Sequence, residues 1–94
     1  VKDPNFEAFC DRVEQEFFRL KARPGSLSPA DFHRLRGWYE SGWTLVAILD
    51  GVRAAFRAVA SGRSAGVEEV NSLYYCEPFV EEAIRMRRGS PPRA

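Results

Sequence analysis

Apolar residues return at three- and four-residue steps along nearly the whole chain, the period of amphipathic helices. Phe6, Phe9, Cys10, Val13, Phe17 and Leu20 form a first face. Asp3-Pro4 opens that helix as an N-cap followed by proline, and Arg23-Pro24-Gly25 closes it. Ser28-Pro29-Ala30-Asp31 repeats the opening signal for a second helix, with Phe32, Leu35, Trp38 and Tyr39 assigned to its inner side and Ser41-Gly42 to its end. Thr44 caps a third helix over about 44–60. Its broad face of Leu45, Ile48, Leu49, Val52, Phe56 and Val59 is accompanied by a second stripe of small residues, Ala47, Gly51, Ala54 and Ala58. A stripe without bulk admits a neighbour closely, so this helix is expected at the centre, packed on two sides.

The remaining third of the chain is less regular. Ser61 to Gly66 reads as a connection, and Val67, Val70, Leu73 and Tyr74 as a short fourth helix. Pro78 lacks an amide proton and clashes with the carbonyl four residues back. A break or kink is therefore expected near Cys76-Glu77, with a last helix running to about Arg88. The expected fold is all-α: a compact bundle of four to five helices, one domain over 1–88, with a disordered tail over 89–94.

Composition agrees with a folded domain. Hydrophobic residues make up 45% and charged residues 29%, with twelve aromatics among 94 positions. No apolar run approaches the roughly 20 residues needed to cross a bilayer. Val1-Lys2-Asp3-Pro4 leads into an amphipathic rather than an apolar segment, so no signal peptide and no membrane association are expected. Cys10 and Cys76 fit neither a metal spacing nor a disulfide framework. Both are expected to be reduced core thiols of a cytoplasmic protein.

Charge narrows the function classes. Fourteen bases and thirteen acids leave a net charge of +1, too little for a chain built mainly to hold nucleic acid. Acids precede bases along the first and last helices, an order that opposes the helix dipole and accounts for most basic residues. Two features stand outside that account. Arg53 and Arg57, one turn apart, could join Arg85 and Arg88 as a phosphate-contacting surface if the helix ends meet. Phe18 falls among polar residues, either packed under the 24–29 loop or facing a partner. Tyr74 and Tyr75 are the other candidate partner-binding aromatics.

Chemistry is sparse. His33 is the only histidine and projects from the second helix on the side away from Phe32 and Leu35. Glu68-Glu69 and Glu81-Glu82 lack histidine partners for a metal, and no nucleophile elbow or phosphate loop is present. No catalytic, cofactor-binding or metal residues are assigned, and no enzyme is expected.

Ser28-Pro-x-Asp-Phe, Trp38-Tyr-Glu-Ser-Gly, Leu45-Val-Ala-Ile-Leu-Asp-Gly-Val and Ser72-Leu-Tyr-Tyr-Cys together resemble a small family of bacterial all-helical proteins. Over residues 28–85 the chain also resembles, more loosely, the C-terminal domain of DnaD-like replication-initiation proteins. It departs from their terminal motif, since Tyr75 is followed by Phe79 and Ala83. The second resemblance implies a nucleic-acid-associated accessory role, and no functional residue is carried over from it. The expected function is a non-catalytic helical module that binds a protein partner or itself. The alternative is nucleic-acid association.

Overall fold

A computed structural model describes residues 3–62 and 70–89, with backbone alone for the last two. These form four α-helices and no strands: α1 (Pro4–Lys21), α2 (Pro29–Glu40), α3 (Leu45–Ala60) and α4 (Leu73–Gly89). Val67, Glu68, Glu69 and residues 90–94 of the expected tail lie outside the described residues, as does the side chain of Arg88, whereas Gly89, placed in that tail, is the last residue of α4.

Local signals fix the starts of the first three helices. Asp3 accepts the amides of Asn5 and Phe6 at 3.0 and 3.2 Å. Ser28 Oγ accepts from Asp31 at 3.1 Å, and Thr44 Oγ1 from Ala47 at 3.3 Å. Each satisfies a helix donor that has no partner inside its own helix. α1 stops slightly earlier than its Pro-Gly signal, at Ala22, which adopts a left-handed conformation with φ of 60°.

α3 packs on two sides, against α1 and against α4, while α2 touches α1 and α4. Val13, Phe17, Leu35, Ile48, Val52, Leu73 and Val80 are fully enclosed between them. The small-residue stripe faces α4. A β-carbon built on Gly51 would stand 2.6 Å from the Val80 nitrogen, so the two backbones meet there with room for hydrogen alone. Ala47 and Ala58 are buried beside it, and Ala54 is half-buried at the stripe's outer edge.

Three expectations are corrected. The chain forms no helix at Val70–Asn71; Val70 is buried in an extended approach and α4 begins at Leu73. α4 then runs unbroken through Pro78. The proline ring is exposed, and Leu73, Cys76, Val80 and Ile84 are all buried along the same helix. Their burial outweighs the roughly 3 kcal/mol that an interior proline costs. Finally, Phe32 is not an inner residue but is 38% exposed. The buried side of α2 is Asp31, Leu35 and Trp38, and Phe32 sits one helical step off it.

Candidate interaction surfaces

Two of the candidate residues, Tyr74 and Arg53, meet a charged partner from another helix. Phe18 packs edge-on against Phe17 at 5.1 Å. Gly25 lies over it, a β-carbon there falling 2.7 Å from the Phe18 ring. The Leu27 amide donates to Glu14 at 3.0 Å and pins the same loop. Phe18, half-buried, therefore supports the 24–29 loop.

Tyr74 and Tyr75 diverge by one helical step and serve different neighbourhoods. Tyr74 is 69% exposed on the α2 side, with the Arg34 guanidinium 4.9 Å from its ring centre. Arg34 also pairs with Glu77 at 2.5 Å, and the Trp38 indole donates to the second Glu77 oxygen at 3.0 Å. Trp43 stacks on Trp38 at 5.8 Å, so the two tryptophans close the α2–α3 turn. Tyr75 instead neighbours Phe79 at 5.7 Å. Helical spacing brings Phe79, Ala83 and Met86 into one row on the α3 side of α4. Met86 is 66% exposed. Beside this row a groove of about 410 Å³ runs between α3 and α4, lined by Asp50, Ala54, Arg57, Phe79, Glu82, Ala83, Met86 and Arg87.

Of the candidate arginines whose side chains are described, Arg85 stands apart from Arg53 and Arg57. Arg53 and Arg57 share the outer row of α3, but Arg85 pairs with Glu82 on α4 and lines neither groove that holds Arg57. Arg87 reaches across to Asp50. What Arg53 meets is Glu16 of α1, at 2.7 Å. Glu16 also receives Arg19 through both carboxylate oxygens, at 3.1 and 2.7 Å. Its side chain is only 6% exposed, and the Arg19 and Arg53 hydrogen bonds overcome burial to hold its pKa down at about 2. The Glu16–Arg19 pair stands at i,i+3, a spacing visible in the sequence; its link to Arg53 is tertiary.

Other reactive groups are quenched or engaged. Burial raises the Cys10 thiol to about 11 and the Cys76 thiol to about 12, and both remain unbridged. His33 is exposed. Among the described residues, no group of three or more His, Cys, Asp or Glu could hold a metal ion. None of the described helices is long and apolar enough to cross a membrane.

No family model, curated protein or solved structure matches the chain. The functional reading therefore rests on its own surfaces.

Proposed function

We propose that this chain is a non-catalytic helical interaction module whose open α3–α4 face receives a second copy of itself. The observation that carries this reading is the α4 row Phe79, Ala83 and Met86 along the α3–α4 groove, where Met86 is 66% exposed and Phe79 and Ala83 are half-buried opposite Ala54. Such a row is a helix-in-groove surface, where apolar residues at three- and four-residue steps supply the contact. Along α4, Glu81 and Glu82 precede Arg85, so two copies laid antiparallel bring acids of one beside the base of the other. Charge order thus favours self-pairing across a two-fold axis.

Support for a non-catalytic role comes from where the reactive groups are spent. Asp3, Glu16, Asp31 and Glu77 serve caps or ion pairs, and both thiols are buried well above neutral pKa. Two unbridged cysteines also suit a reducing, cytoplasmic setting. The nucleic-acid reading needs Arg85 on the same face as Arg53 and Arg57, and its pairing with Glu82 works against that.

Sedimentation equilibrium over a wide concentration range tests the proposal. The wild-type chain should pass from monomer to dimer, and Met86→Glu should remain monomeric with an unchanged melting temperature. A monomer at every concentration, or a dimer indifferent to Met86→Glu, would overturn it.

A further inference from the structure

A second surface lies on the other side of the α3 outer row, between α1 and α3. Arg19, Leu20, Arg53, Phe56, Arg57 and Ala60 line a shallow groove of about 410 Å³. We infer that this groove binds an acidic peptide segment carrying an apolar residue between its carboxylates.

Charge is the first argument. Arg19 and Arg53 share the single carboxylate of Glu16, and Asp50 is divided between Arg53 and Arg87. Three guanidinium groups thus meet two carboxylates. Arg57 is exposed and has no ion-pair partner among the described residues. Among the described residues, positive charge is in local excess.

Geometry supplies the second. Glu16 takes Arg53 through Nε at 2.7 Å, leaving the terminal nitrogens of that guanidinium outside the bond, one of them a loose 3.7 Å from Asp50. A guanidinium held at its base and open at its fork is preorganised for a planar carboxylate. Because Glu16 is buried and remains ionised down to about pH 2, the anchor persists across the physiological range.

The groove floor decides between anions. Leu20 and Phe56 are half-buried, and Phe56 is held edge-on against the core residue Phe17 at 5.5 Å. An apolar floor between guanidinium groups matches a side chain flanked by carboxylates. Duplex DNA would instead require a longer basic track, and the carboxylates of Glu16 and Asp50 stand among the arginines here. A nucleic acid is therefore the competing outcome.

The test uses the full chain, isotope-labelled, with amide spectra recorded during titration. The probes are a panel of short peptides in which Leu or Phe is flanked by Glu or Asp, the same panel with Gln and Asn, and a duplex DNA. Acidic peptides should shift amides at the end of α1 and along α3, weakening as salt rises. Arg57→Glu removes no ion pair, so it should leave the melting temperature intact while weakening binding about tenfold or more. Met86→Glu should leave peptide binding unchanged, which separates this site from the α3–α4 face. Equal response to the amide panel, shifts indifferent to Arg57→Glu, no shifts at α1 and α3, or tighter binding of duplex DNA would each overturn the inference.

Discussion

Asp31, on the first turn of α2, accepts the backbone amide of Leu73 at 3.1 Å, across 42 residues of sequence. It thereby places a carboxylate at the N-terminus of α4, where the helix dipole favours negative charge. Lys21 fixes the same approach from α1, donating to the Val70 carbonyl at 3.0 Å. Asp31→Ala should lower stability by about 1–2 kcal/mol, as loss of a helix cap does. Asp31→Asn keeps an acceptor and should lose less. Denaturant midpoints measure both, and equal effects would show that the negative charge, rather than an acceptor of that shape, is what matters at this position.

Gly51 gives a sharper test of packing. Alanine gains about 1 kcal/mol of helix propensity over glycine. Against that stands overpacking of roughly 1–3 kcal/mol or more, because the obstacle is Val80 backbone rather than a mobile side chain. Gly51→Ala should therefore be net destabilising, and Gly51→Leu more so. A raised unfolding midpoint for either would place the α3–α4 crossing elsewhere.

Pro78 runs the other way. Its ring is exposed within a continuous helix, so alanine would restore the hydrogen bond to the Tyr74 carbonyl. The propensity gain of about 3 kcal/mol is partly offset by about 1 kcal/mol of added freedom in the unfolded chain. Pro78→Ala should raise the melting temperature without altering helix content. A lowered melting temperature would mean that the ring itself contributes to packing.

Acid should find Glu16. Its folded pKa of about 2 lies below the ordinary value of 4.5, so its ion pairs stabilise the fold fully above that value. The contribution falls as pH drops from about 4.5 towards 2. Solvent screening of the partly exposed Arg19 and Arg53 reduces it to about 1–2 kcal/mol. Wild type should lose more stability over that interval than Glu16→Gln, measured by denaturation at each pH. Parallel losses would remove Glu16 from the account of acid sensitivity.

Local chemistry was legible in the sequence wherever it acts within a few residues. Asp3, Ser28 and Thr44 cap helices a turn away, and the spacing of Ala47, Gly51 and Ala58 announced a close neighbour. What was hidden depends on contacts between distant segments. Pro78 argues for a break until the burial of Val80 and Ile84 on α3 is weighed against it. Asp31 looks like an ordinary first-turn acid because the amide it serves is 42 positions away. Phe18 stands off the apolar face of its own helix, which leaves the loop and a partner both open, and Gly25 over its ring shows the loop contact. Arginine spacing likewise grouped Arg53 with Arg85, whereas the fold sets it beside Arg19 through Glu16.

The contact between Gly51 and Val80 also governs how the molecule can move. Two helices touching main chain to main chain have no layer of side chains to shear through. A slide by one turn would bring Cys76 or Ile84 into a slot sized for a hydrogen atom at Gly51, and close-packed interiors resist such intermediate positions. α3 and α4 must then travel as one rigid body. Any rearrangement on binding falls to α1 and α2, which sets the Trp38–Glu77 and Arg53–Glu16 hydrogen bonds as the joints that would have to open first.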